Sequence, residues 1–230
     1  MRLRSLRLLP LVLCLGCAAL PVEPAGQVGE SKPAADDSSL LKLAAQRLDD
    51  GDEAAALPYL TRYVAAHPEH VTIRAHLAEL LLKLKKPDEA REQLERYVAD
   101  AQDQGEPATK HLIHCHTRLV EIAVEQNDAY AEHLNRGVGM FRVAEGILHQ
   151  EGGEDDPQAQ KVLFQAIAEL ELAAAERKDE ARPHWYLAEC WSHLGQSQPA
   201  REHLARARRL APLGHMTPAE SRALTSPSAE

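Results

Sequence analysis

The chain has 230 residues, with 26 Lys or Arg against 35 Asp or Glu, for a formal net charge of −9. Hydrophobic residues make up 44% and aromatics only 4%, a mix that suits close-packed helices and argues against a β-sandwich, which draws on β-branched and aromatic residues. A chain this acidic repels phosphate backbones, so general nucleic-acid binding is not expected.

Arg2, Arg4 and Arg7 open the sequence, Leu8 to Leu15 is a short apolar run broken only by Pro10, and Gly16-Cys17 follows. The run is too short for a bilayer-spanning helix, which needs about 20 residues. It fits a signal peptide over residues 1–16. The segment resembles the bacterial lipoprotein signal, whose cleavage would leave a lipidated Cys17, although Cys14 stands where that pattern has Leu. Ordinary cleavage after Ala19 is the alternative. Export is expected either way, to the cell envelope as a membrane-anchored lipoprotein or to the periplasm without the lipid. Removing the three arginines takes the charge to 23 − 35 = −12. Residues 17–37 then read as the anchor and a tether, with three prolines and two glycines between 18 and 35.

Helical periodicity begins at Leu40. Leu40, Leu43, Ala44, Arg47 and Leu48 share a face, and Asp50-Gly51-Asp52 breaks the run. A second helix over about 53–66 carries Ala56, Leu57, Leu60, Tyr63 and Val64 inward until Pro68 stops it. The plan then repeats, with Ile73, Leu77, Leu80, Leu81 and Leu84 on one helix, a turn at Lys86-Pro87-Asp88, and Ala90, Leu94, Tyr97 and Val98 on the next. Leu60-Thr61-Arg62-Tyr63-Val64-Ala65 aligns with Leu94-Glu95-Arg96-Tyr97-Val98-Ala99 at an offset of 94 − 60 = 34. A fixed period of this length means stacked supersecondary units. A further copy over 181–214 carries Leu187, Ala188, Trp191, Gly195, Ala200, Leu204, Ala207 and Pro212.

These spacings resemble the tetratricopeptide repeat, with the best copies at 37–70, 71–104 and 181–214. Lys85 stands where the turn Gly of that pattern would be, Gln102 stands at its closing Pro, and Tyr63 and Tyr97 take a late small position. The resemblance implies an all-α fold, a right-handed superhelix of stacked antiparallel helix pairs over 38–212, with Ala56, Ala90 and Ala200 buried at helix crossings. It also implies a binding scaffold for a protein or peptide at the cell envelope.

The middle is irregular. The offset from first to last copy is 144 = 4 × 34 + 8, so about eight extra residues lie between them. Residues 111–126 form a helix with Leu112, Cys115, Leu119, Ile122 and Ala123 inward. The helix over about 129–149 contains Gly137, Gly139 and Gly146, and either serves two units or breaks near Gly137. Residues 150–156 are an acidic loop where a first helix is due. Residues 158–177 fit a second helix, since Ala166, Leu170 and Ala173 precede Ala200, Leu204 and Ala207 by 34. The tail 213–230 is polar and expected to be mobile, but Thr217-Pro218-Ala219-Glu220 has capping-box spacing for a short helix through Leu224.

No phosphate loop, nucleophile elbow or His-Glu-x-x-His occurs, so neither catalysis nor a cofactor is expected. In His111-x-x-His114-Cys115-His116, His111 and Cys115 share a helix face as metal ligands would. No second ligand pair follows, so a metal is not expected there and two buried helix cysteines, Cys115 and Cys190, are. The alternatives to a scaffold are a metal-binding or enzymatic protein built on His111 and Cys115, with Glu132, His133, Asn135 and Arg136 as a polar cluster, or a structural spacer on a tether.

The resemblance places the first helix of each unit on the concave face. The implied groove residues are Glu79 and Lys83 in the second copy and Arg182, Trp185, Glu189 and His193 in the last. Leu41 and Ala45 stand where the family's carboxylate clamp has Lys and Asn. Trp191 falls at a core position. Trp185 either anchors a peptide or packs on helix 158–177. From Ala181 to Pro212 the charge is 5 − 2 = +3, which favours an acidic partner or an acidic segment of the same chain such as Glu151 to Asp156.

Overall fold

The computed structural model describes residues 37–103, 109–150 and 156–226. Cys17, the signal segment and residues 151–155 of the acidic loop lie outside them. Among the described residues the regular structure is entirely helical: α1 (Asp37–Asp49), α2 (Glu53–Ala66), α3 (Val71–Lys83), α4 (Pro87–Asp103), α5 (Thr109–Gln126), α6 (Ala129–Leu148), α7 (Pro157–Glu176), α8 (Ala181–His193), α9 (Ser197–Leu210) and α10 (Pro218–Thr225). The helices pack as antiparallel neighbours, α1 on α2, α3 on α4, α5 on α6 and α8 on α9, with α7 against both α6 and α8.

The turn inside each pair has one construction. Gly51, Lys85, Asn127 and Gly195 all adopt positive φ, at 74°, 58°, 56° and 69°. The N–H of the residue after each reaches back five residues, from Asp52 to Arg47, Lys86 to Leu81, Asp128 to Ala123 and Gln196 to Trp191, at 2.8 to 2.9 Å. This is the Schellman closure, which satisfies the last carbonyls of a helix and needs a left-handed residue after it. Lys85 and Asn127 therefore take the place of the missing glycines. The turns also locate the eight extra residues. They are spaced 85 − 51 = 34, 127 − 85 = 42 and 195 − 127 = 68 = 2 × 34, so the excess lies between 85 and 127. There α4 has 17 residues against 14 in α2, and α5 has 18 against 13 in α3.

The helix over 129–148 does not break. α6 is continuous for 20 residues and packs on α5 along one side and on α7 along the other. It is the second helix of one pair and stands in for the first helix of the next. Gly137 and Gly139 make this possible on opposite flanks. A Cβ at 137 would lie 2.7 Å from Leu170 Cγ and 3.2 Å from the Ala166 carbonyl of α7, and one at 139 would lie 3.3 Å from His116 Cβ of α5.

Two apolar cores result. One joins Ala44, Leu60, Leu77, Leu94 and Leu119 of α1–α5. The other joins Leu134, Phe141, Leu163, Leu170, Tyr186 and Leu224 of α6–α10. Ala56 and Ala90 are fully buried, as expected of helix crossings, whereas Ala200 is only partly buried. The difference follows from position, because α9 is covered by α8 and only slightly by the short α10. Trp191 is likewise half-buried, with its ring edge-on to the exposed Phe164 at 6.2 Å. The tail beyond residue 213 holds α10. Its capping box is complete, with Glu220 N–H donating to Thr217 Oγ1 at 3.2 Å and Thr217 N–H to Glu220 Oε2 at 2.8 Å. Leu224 anchors it, 2% exposed.

Candidate peptide groove

Five helices border an open hollow of about 720 Å³. Its walls are Ala101 and Gln102 from α4, Leu112 from α5, Phe141, Arg142, Glu145 and His149 from α6, Trp185, Tyr186 and Glu189 from α8, and Ala219, Glu220 and Ala223 from α10. Helical spacing puts Phe141 and Glu145 on one stripe of α6, continued by His149 at its C-cap, and Trp185 and Glu189 on one stripe of α8. Trp185 is 8% exposed and Tyr186 1%. Phe141 meets Tyr186 edge-to-face at 5.6 Å.

The charges are unevenly matched. Arg142 Nη1 donates to Glu145 Oε2 at 2.6 Å, and its guanidinium lies 5.5 Å from the centre of the Phe141 ring. Its buried Nε has no hydrogen-bond partner among the described residues. Glu189 faces Glu145 and Arg142. Burial pushes its carboxyl up, Glu145 adds to this, and Arg142 opposes both. Glu220 is held differently. Burial alone would raise its carboxyl, but Arg182, the Thr217 N–H and Tyr186 outweigh that and hold it below the ordinary carboxylate range. Arg182 reaches it at 3.0 and 3.2 Å and the Tyr186 hydroxyl donates to it at 2.8 Å. Gln102 ties α4 to this group, donating to the Tyr186 hydroxyl at 3.3 Å and accepting from Thr217 Oγ1 at 2.9 Å.

The expected groove residues therefore separate. Trp185 and Glu189 line the cavity. Arg182 turns instead to Glu220 of α10, and His193 lies with its ring 5.8 Å from Phe141. Glu79 and Lys83 belong to a different hollow, between α3 and α5. Glu79 is gripped there by Arg118 at 2.9 and 3.0 Å and by His114 at 2.9 Å, and Lys83 pairs with Glu53 at 3.1 Å. The arginines of α9 contribute nothing to the cavity wall; Arg201, Arg206, Arg208 and Arg209 are exposed.

His111 and Cys115 line a smaller recess of about 240 Å³ with His76, Tyr97 and His114. Cys115 is buried, and burial with the nearby Glu79 carboxylate pushes its thiol up to about 12, which disfavours the thiolate that binds metal. Cys190 is also buried and unpaired. Glu132, His133 and Arg136 form an ion-pair group with Glu169 across α6 and α7, with His133 at 2.8 Å and Arg136 at 3.5 Å from it. Asn135 instead meets the buried His116 at 3.0 Å.

Phe141, Arg142 and Glu145 carry the cavity's chemistry and lie a turn or more past the cluster of Glu132, His133, Asn135 and Arg136 weighed from the sequence. Their i, i+4 spacing was a visible signal, but no repeat register applies to α6.

Stacked antiparallel helix pairs define a helical-repeat fold. The tetratricopeptide repeat family model matches residues 47–110. No curated protein matches the chain. Among solved structures it is similar to a MamA protein, at 13% identity over 76% of this chain and 92% of that one with a TM-score of 0.39. It is similar to YrrB, described as a TPR protein with an unusual peptide-binding site, at 12% identity, 82% and 92% coverage and a TM-score of 0.35. A third is TTC0263, a thermophilic TPR protein of Thermus thermophilus, at 20% identity, 84% and 98% coverage and a TM-score of 0.37.

Proposed function

We propose that this chain is a non-catalytic scaffold that takes an extended segment of a partner protein into the cavity at Trp185. The observation that carries the reading is the cavity itself, a space of about 720 Å³ with Trp185, Phe141 and Tyr186 in its walls and an underpaired set of charges beside them. Aromatic walls with a few convergent polar groups are what a peptide anchor needs. Glu145 and Glu189 face one Arg142, so the cavity favours a segment that brings an apolar side chain next to a Lys or Arg. An acidic partner fits the outer face of α9, where Arg201, Arg206 and Arg209 are exposed.

The test is a capture of partners from cell envelopes, followed by affinity measurement. Trp185→Ala should cost about 2 kcal/mol or more, roughly thirtyfold in Kd. Glu189→Lys, which leaves the aromatic wall intact, should weaken the same partner. Full affinity in both variants would move the binding surface elsewhere.

We further propose that the chain is exported and held at the membrane by lipid on Cys17. The support is the basic start at Arg2, Arg4 and Arg7, the short run to Leu15, and Gly16-Cys17. Among the described residues no helix is long and apolar enough to cross a membrane. Cys17→Ser should release the chain from membranes on fractionation; retention, or a mature N-terminus at Leu20, would refute the anchor.

A further inference from the structure

The loop from α2 to α3 gathers His67, Glu69 and His70 around Pro68, the residue that stops α2. Taking one ligand atom from each, all three lie within 4.8 Å of one another. His67 Nδ1 is 3.2 Å from Glu69 Oε1, and His70 Nε2 is 3.7 Å from the same oxygen. Ligand atoms about 2.0–2.1 Å from a tetrahedral zinc stand roughly 3.3 Å apart. The two separations to Glu69 bracket that value, and the remaining one lies within 4.8 Å. The His67 and His70 rings stack at 5.1 Å and 15°, so closing on an ion takes a rotation of the His67 ring out of that stack.

A second feature points the same way. The Tyr63 hydroxyl lies 2.6 Å from His70 Nδ1, and Tyr63 is buried. With Nδ1–H donating to that oxygen, Nε2 carries the lone pair, on the side of the ring that faces Glu69. A fixed partner on the far nitrogen is how proteins set the tautomer and direction of a metal-bound imidazole. The repeat itself does not call for these side chains. The same positions one period on are Ala101, Asp103 and Gln104, and in the last copy Ala211, Leu213 and Gly214.

We propose that His67, Glu69 and His70 bind one zinc-class divalent cation, with Tyr63 orienting His70 and a fourth position left open to water. Three protein ligands and an open position suit imidazole and carboxylate donors to zinc. The site is separate from the His111–Cys115 recess and from the Trp185 cavity, so it stands whatever the partner of that cavity is.

The experiment is a calorimetric titration of the full chain with zinc chloride, alongside variants. One saturable site with a Kd on the order of micromolar is expected. His67→Ala and His70→Ala should each weaken it at least tenfold, and Tyr63→Phe by about tenfold, the scale of a lost outer-shell partner. His111→Ala should leave it unchanged. Tyr63 is a core residue, so circular dichroism must show intact helicity in Tyr63→Phe. The decisive variant is the loop double substitution His67→Ala/His70→Ala. Absence of a saturable site in the native chain, or undiminished affinity in the double variant, overturns the proposal.

Discussion

Lys85 sits at φ 58° in a position that glycine fills at Gly51 and Gly195. A side chain there costs about 1–2 kcal/mol in backbone strain, partly offset because glycine also loosens the unfolded chain. Lys85→Gly should therefore raise stability by about 0.5–1 kcal/mol in urea denaturation. A loss would mean that the lysine stem contributes more than the strain removes. His116 sets a pH dependence. It is buried between α5 and α6, and burial pushes its imidazole from 6.5 down to about 4; Arg182 and Arg142 push the same way, while Asn135 and Glu220 oppose. Between those values the unfolded chain takes up a proton that the folded one refuses. The stability is present above pH 6.5 and is lost as pH falls toward 4, by on the order of 3 kcal/mol. Replacing His116 with Leu should reduce the slope of denaturation midpoints between pH 7 and 4.5, with the remainder left to His184, which burial also lowers to about 4. An unchanged slope would assign the acid sensitivity to other groups.

At the scale of elements, α6 is the piece on which the irregular middle turns. Gly137→Ala gains about 1 kcal/mol of helix propensity but drives a methyl to within 2.7 Å of Leu170. A net loss of about 1–2 kcal/mol is expected. Gly139→Ala, with its nearest neighbour at 3.3 Å, should cost clearly less. Equal effects in thermal melts would mean that α6 and α7 adjust freely. The sequence shows the helices well, because Leu60 and Leu94 or Ala56 and Ala90 recur at a fixed offset and Thr217 with Glu220 spells out the cap of α10. The regularity of the turns is hidden, since Lys85 and Asn127 replace the glycines that mark them. The double role of α6 is also hidden. Gly137 signals a close approach but not which helix approaches. Trp185 and Glu189 could be placed by register. Arg142 and Glu145 could not, because α6 lacks the small residues by which the repeat is aligned, and the pairing of Arg182 with Glu220, 38 residues on in the tail, leaves no trace in spacing. The grouping of His67 with His70 was there to be read, three residues apart, but Tyr63 behind it becomes visible only in the fold.

At the scale of the whole molecule, the two cores give a chain of neighbouring contacts rather than one centre. Stability in such stacks is close to a sum of local terms. Leu60→Ala, in the first core, should cost about 2–5 kcal/mol and lower hydrogen-exchange protection across α1–α4 more than across α7–α9. Uniform loss would show that α6 couples the halves into one cooperative unit. Among the described residues α10 departs furthest from nearest-neighbour order, crossing back to α4. Thr217 and Gln102 meet across 115 positions of sequence. Synthesis runs from the N-terminus, so the early helix pairs can assemble while the chain is still growing. The wall formed by Ala219, Glu220 and Ala223 cannot. The α10 side of the cavity is made after every other helix that lines it, so a partner meets a finished site only once α10 has followed the repeats out of the ribosome. A chain cut short before Pro218 would keep its helix pairs yet offer a guest a hollow that lacks one wall.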